Sequence, residues 1–519
     1  MISTSPEFEQ AIYAPSRRTS ARVTFDISDV TAADDASVTV TSEAEISRKA
    51  QLTNQVRDRP AYATFEPDYW KLDGSFVLPP KPEEPGFEVG WYSAALSGPD
   101  GSFSPAQTID FTFTQPHSSI GLTITFDEPA NEYATDFDIV VYDGNGGTIW
   151  SHQVRGNTDA RWVIDRQQLA NYKRIVITLL KWCKPYRRAK VTEVSFGVVR
   201  VYGDDNLFRV NILEEIDPIS AQVPASELRF VVDNSSREFN ILNPEGSYAF
   251  LQERQAVVVE LGVEVRPNTY EWVHMGYYFM SDWKSDEGSL TATFTARNRL
   301  DFLPAVEIEN TTPSSTNLHN LAMSLITAIG LEKYRLDPAL SSISTQGLYK
   351  KQTYRELFQH IAVAGCCAIY VDRDDYLNIV RLSAPEPVDT IDMDNMYGEP
   401  QINLDKLISR VEVNYYSDLD TVAGTYVATG SVSGGATLKV ENTLINSSAH
   451  AQAVAEWILA ESNKRALYEV NWRQNPALEP GDVVTVEDAY EVNRESRIIA
   501  QEYEYDGALR GKTKSKGAI

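Results

Sequence analysis

Few residues in this sequence are grouped as chemistry would need them. The six histidines are scattered without metal-ligand spacing, and His319 and His360 fall on segments of helical periodicity, where a packed or surface histidine is commoner than a ligand. The three cysteines are Cys183 and the adjacent Cys366 and Cys367. They offer neither a disulfide framework nor a metal site, and the pair reads as buried packing at a helix end. The adjacent carboxylates Asp34 with Asp35 and Asp374 with Asp375 sit on turns and cannot face each other across a substrate as a general acid and base must. No nucleophile elbow, zinc-protease helix, phosphate loop or dinucleotide fingerprint is present. Residues 143–147, Asp-Gly-Asn-Gly-Gly, carry oxygen ligands suited to calcium, but the same residues make a hairpin turn, which is the plainer reading. No catalytic residue, metal or cofactor is therefore expected. The aromatic residues Trp91, Tyr92, Trp162, Trp182 and Tyr186 stand apart, because rings at the loop ends of a jelly roll can stack on sugars. Trp91 and Tyr92, beside Gly90 and ahead of the first regular strand of their region, are the candidate carbohydrate-binding residues. Core packing is the competing role for each ring.

The elements that must position these residues are mostly strands. Residues 228–232, 256–265, 277–284 and 289–297 read as consecutive strands, and in the last of these Leu290, Ala292, Phe294 and Ala296 alternate with threonines and Arg297. That is a barrel wall with one buried face. Residues 257–259 and 277–280 are apolar on both faces, so an inserted element, the rest of the barrel or another subunit must cover the second side. Upstream, residues 1–20 form a polar arm ordered by contact with a neighbour, and strands at 21–27, 37–41, 62–65 and 69–72 need partners from downstream. Residues 21–80 and 203–305 are accordingly expected to form one split β-barrel. A proline-rich spacer at 79–85 opens residues 86–202, where strands recur about every ten residues between turn signals, as in a β-sandwich jelly roll.

Past 305 the pattern changes. Residues 306–400 hold two helices and a hairpin, a small α+β domain; the second helix is announced by Thr353 and Glu356 as a capping box. Residues 401–519 return to strands around one helix near 448–462 and read as a second barrel. The fold class is thus mainly β with an α+β part: two tube-like barrels, a helix–hairpin unit and an inserted jelly roll.

Composition bounds the function. A chain of 519 residues exceeds one core. No stretch approaches the roughly 20 apolar residues of a membrane span, and no secretory leader is expected at the N-terminus. With 47 Lys and Arg against 73 Asp and Glu, the formal charge of −26 disfavours binding to a phosphate backbone.

Two resemblances then enter. Residues 108–114, 120–127 and 175–197, the last reading IVITLLKWCKPYRRAKVTEVSFG, resemble the discoidin-like, galactose-binding jelly rolls in tail proteins of phages of Gram-positive bacteria. Residues 20–74, with EPDYWKLDG at 66–74, resemble the opening segment of the same tail proteins, and the stretch around 476–486 resembles the baseplate hub, or tail-associated, proteins of phages and contractile injection systems. The resemblance implies a virion protein of the tail tip or baseplate, made in the bacterial cytoplasm. It further implies a homotrimeric hub ring bound to tail-tube, distal-tail and tape-measure proteins, a host cell-wall glycan held by the jelly roll, and genomic DNA passing through the lumen without specific binding. No enzymatic activity is expected, since the chain stops where peptidase or lysozyme domains would follow. Two alternatives stay open: a distal tail or receptor-binding protein, and a glycoside hydrolase with an accessory sugar-binding domain.

Overall fold

The computed structural model describes residues 1–519 apart from 58, 70–73, 82, 83, 85, 166, 244, 245, 287, 384, 385, 433, 491 and 519. Residues 70–72 of the strand expected at 69–72 and part of the 79–85 spacer lie outside the described residues.

The fold begins with the strand Thr19–Ser28, whose Ala21, Val23, Phe25 and Ile27 are buried. It pairs on one side with Ala256–Arg266 and on the other with Gly197–Tyr202. The sheet continues through Thr269–Lys284, Thr291–Arg297, Glu227–Asp233 and Leu207–Glu215, with Phe25, Phe230 and Phe294 packed at its centre. Leu207–Glu215 then pairs directly with Asn493–Tyr505, Val210 opposite Tyr505 and Ile212 opposite Tyr503. Leu509–Gly517, Ala466–Trp472 and Gln401–Leu404 follow in order. One sheet of thirteen strands, counted among the described residues, therefore runs through both β units.

The polar arm is ordered within its own chain rather than by a neighbour. Residues Pro6–Ile12 form a helix capped by Ser5, and Phe8 with Ile12, one turn apart, buries in the first β core. Arg17 donates to the carbonyls of Ile12, Gln474 and Leu509, tying the arm to the last strands.

The chain leaves the first β unit earlier than the spacer suggested. Residues Ser37–Val40, expected in the barrel, pair with Ser102–Ser119 of the jelly roll, Val38 opposite Phe111, and their valines pack against the jelly-roll core. The excursion thus runs from Asp29 to Phe196 rather than from 86 to 202. Its body is a five-stranded sheet, Ser37–Val40, Ser102–Ser119, Leu169–Trp182, Ala134–Tyr142 and Thr148–Val154 in spatial order. It faces a three-stranded sheet of Arg161–Ile164, Leu122–Thr125 and Glu193–Ser195.

Beyond the first unit, Leu318–Ala328 and Tyr354–Gly365 are helices, the second with its capping box between Thr353 and Glu356. The strands Ile408–Asp418, Thr421–Thr429 and Ala436–Glu441 do not join the second barrel as expected. They form their own sheet, and Val411, Val413 and Ala428 share one core with Leu325 and Ile361 and with Val454 and Ile458 of the helix Ser448–Ser462. Their apolar face matches the helical unit's uncovered side, whereas the second β unit is completed by Asp389–Ile391, Val483–Glu487 and the strands after 465.

Cover for the doubly apolar stretch 277–280 also comes from within the chain. His274 Nε2 lies 2.9 Å from the Arg373 carbonyl, Lys333 stacks over Tyr277, and Phe302 and Arg299 pack on Phe279. Arg373, at the tip of the Ala368–Val371 and Leu377–Val380 hairpin, is buried where the three units meet. It holds both Glu214 oxygens at 2.7 Å and donates to the Pro476 and Leu478 carbonyls and to Tyr503 Oη. Among the described residues, no helix is long and apolar enough to cross a membrane.

Candidate glycan-binding face

Trp91 and Tyr92 open the strand Trp91–Leu96 and are fully buried, so neither can stack on a sugar as the sequence reading expected. The segment 42–59 covers them. Trp91 Nε1 donates to the Ser42 carbonyl at 2.9 Å, the Tyr92 amide to Ser47 Oγ at 3.1 Å, and Arg59 Nη1 to Tyr92 Oη at 2.6 Å. Burial holds the Tyr92 phenol above its ordinary range. The covering segment belongs to the jelly roll itself, which the early departure at Asp29 makes possible and the spacer-based boundary concealed.

Beneath this cover lies a charge network that is closed on itself. Arg59 donates to Asp127 at 2.7 Å and to Thr192, and Tyr69 Oη donates to the second Asp127 oxygen. Lys190, with no exposed surface, sits 3.0 Å from Glu66, and Glu132 accepts from Arg187 and from Trp182 Nε1. Buried charges persist only when paired and hydrogen-bonded, and here every carboxylate has its cation. The arrangement pins the covering segment to the sandwich.

The other singled-out residues separate likewise. Asp35 accepts from Thr114, the Gln115 amide and His117, which together hold its carboxyl well below the usual range, while Asp34 faces solvent. Asp375 is buried against Arg299. Asp143 Oδ1 accepts from the amides of Asn145 and Gly147, both at 2.8 Å, which is turn chemistry. Burial pushes the thiols of Cys366 and Cys367 up to about 11 and about 12, so neither is a thiolate at neutral pH. Trp182 is core, and Tyr186 stands half-exposed.

The rings that do reach the surface together are Trp150, His152 and Trp162. Trp150 and His152 lie opposite Val141 and Ile139, and Trp162 lies opposite Ile124. All three partners are core residues. The three rings therefore stand on the inner side of the two edge strands, Thr148–Val154 and Arg161–Ile164. Trp150 and His152 stack at 5.4 Å with 8° between planes, and His152 lies 6.0 Å from Trp162. Both tryptophans are partly buried and His152 is exposed, so the rim presents apolar ring surface beside an imidazole that can donate or accept a hydrogen bond. Sequence reasoning weighed Trp162 and missed the other two. The available signal was the i, i+2 spacing of Trp150 and His152, which places two rings on one side of a strand.

No family model and no curated protein matches the sequence. Among solved structures, the chain is similar to a 43 kDa tail protein of prophage MuSo2 from Shewanella oneidensis, at 16% identity and a TM-score of 0.45, over 61% of this chain and 95% of that one. A tail protein from Neisseria meningitidis aligns at 14% identity and a TM-score of 0.43, over 61% and 93%. A family 32 carbohydrate-binding module from C. perfringens NanJ, solved with galactose, aligns at 12% identity and a TM-score of 0.21, over 34% of this chain and 99% of the module. The chain thus resembles phage tail proteins over most of its length and carbohydrate-binding modules over about a third.

Proposed function

We propose that this chain is a structural protein of a phage tail tip or baseplate, a hub subunit that assembles as a homotrimer and continues the tail tube. Tail-tube, distal-tail and tape-measure proteins are its partners, and the jelly roll displays the Trp150, His152 and Trp162 rim to a host cell-wall glycan. The observation that carries this reading is the sheet shared by both β units. A wall continuous across two units suits a rigid tube segment, and its last strand, Gln401–Leu404, presents Ile402 and Leu404 to solvent and has no strand beyond it among the described residues. The resemblance of residues 20–74 and 476–486 to tail and hub proteins points the same way. In this reading the chain has no catalytic role, and attachment gains strength from several weak sites on one ring facing a repetitive polymer.

Light scattering of the purified chain should give a trimer, alone or with tail-tube protein added. A sixfold assembly would favour a distal tail ring instead. Binding to isolated wall polymer should fall at least about tenfold in the Trp150→Ala/Trp162→Ala double variant, as expected when a ring-stacking contact is removed. Undiminished binding by a folded double variant would rule out the rim.

A further inference from the structure

The sequence contains one Asn-Gly pair, Asn145 with Gly146, and the structure puts it at the tip of the hairpin that joins Ala134–Tyr142 to Thr148–Val154. Both residues are exposed. The Asn145 side-chain amide has no hydrogen-bond partner among the described residues, and Gly146, at φ +83°, has nothing within 4 Å of where a Cβ would stand. With no side chain to shield it, the Gly146 amide nitrogen is open to approach, and its bond to the Asp143 carbonyl is long at 3.3 Å. Asn157 shows the opposite case: it precedes a β-branched threonine, and its Nδ2 donates to the carbonyls of Ala134 and Asp159, both at 2.9 Å.

We propose that Asn145 is a site of spontaneous deamidation, and that the modification loosens the strand carrying Trp150 and His152. The Gly146 nitrogen attacks Asn145 Cγ. A bond forms between them, the bond from Cγ to Nδ2 breaks, and the proton from the Gly146 amide leaves with the amino group as ammonia. Water then opens the resulting five-membered imide at either carbonyl, giving aspartate or, where the chain now runs through Cγ, isoaspartate. The net reaction takes up one water and releases one ammonia, with no change of oxidation state.

The products act on the turn directly. Asp143 accepts through Oδ1 from the amides of Asn145 and Gly147, and its own amide donates to the Gly147 carbonyl at 2.8 Å. Isoaspartate lengthens the backbone inside that ring of bonds by one methylene, and either product sets a second carboxylate beside Asp143. Thr148–Val154 is the edge of its sheet and pairs only with Ala134–Tyr142, so its register depends on this turn. Loss of glycan binding through Trp150 and His152 rests on the rim reading above, whereas the modification and the loosening do not.

The full chain, aged at mildly alkaline pH, is digested and the peptide spanning 143–147 is compared with that of fresh protein by mass spectrometry. Expected is a product heavier by the difference between a hydroxyl and an amino group, in two chromatographic forms, one of them labelled by an isoaspartyl methyltransferase. Hydrogen exchange across 148–154 should speed up about tenfold or more in the modified chain and stay unchanged in Asn145→Ser aged alongside it. Binding to wall polymer should fall with ageing in the first and hold in the second. An unmodified Asn145 after ageing overturns the proposal, and so does a modified chain whose edge strand exchanges as slowly as in fresh protein. Fresh protein that fails to bind wall polymer would strike the rim reading alone, because mass and exchange are read without a glycan.

Discussion

At the scale of single residues, two buried carboxylates make opposite predictions. Glu88 is desolvated, and this pushes its carboxyl up to about 8 against an ordinary value near 4.5. A folded state that binds the proton more tightly than the unfolded chain has its full contribution below the unfolded value and loses it as pH rises from about 4.5 to about 8. Glu88→Gln should therefore flatten the fall in stability across that window and raise the melting temperature above pH 8; an unchanged pH profile by calorimetry would count against the shift. Glu214 is instead clamped by Arg373. Arg373→Ala leaves a buried charge unpaired and should cost about 3–5 kcal/mol in urea unfolding, whereas Arg373→Met with Glu214→Leu should recover most of the loss. The same contrast explains what the sequence made legible. The Asp143 turn was readable from its glycines. The burial of Trp91 and Tyr92 was not, because the residues covering them lie at 42–59, on the far side of a spacer that looked like a boundary.

At the scale of elements, local signals held, whereas long-range pairings held only in part: residues 21–27 join the 256–266 strand as expected, but other strands pair elsewhere. The capping box at Thr353, the helical face of Leu318–Ala328 and the alternation in Thr291–Arg297 are set by near neighbours, and the structure keeps all three. Which sheet a strand joins is set by whatever apolar face is vacant elsewhere. Ser37–Val40 and Ile408–Asp418 read correctly as strands, yet they pair in the jelly roll and in the helical unit respectively. The strand Gln401–Leu404 carries the clearest consequence. All four of its residues are exposed, and an open apolar edge is a template for another chain. Ile402→Lys with Leu404→Lys should abolish self-association in light scattering while shifting the melting temperature by only a few degrees, since neither side chain is buried in the monomer. Assembly unaffected by the two lysines would place the subunit contact elsewhere.

For the whole molecule, net charge and local charge must be weighed together. The total of −26 speaks against affinity for nucleic acid, but the final strand Leu509–Gly517 sets Arg510, Lys512, Lys514 and Lys516 on one side, a row of cations that would grip phosphates if left free. Most are not free. Arg510 pairs with Glu504 and Asp506, Lys512 with Glu469, and Lys516 with Asp405. Each pairing lowers the number of phosphates that this surface can neutralise. Exposed pairs contribute little to stability, so their partners can be removed without unfolding the chain. The intact protein should show no binding of duplex DNA by fluorescence anisotropy at physiological salt. Glu469→Gln combined with Asp405→Asn should free Lys512 and Lys516 and produce binding that weakens steeply with added salt, with a slope of about one logarithmic unit per newly neutralised phosphate. Binding by the unaltered chain, or none by the double variant at low salt, would mean that pairing along this strand does not govern its behaviour toward DNA.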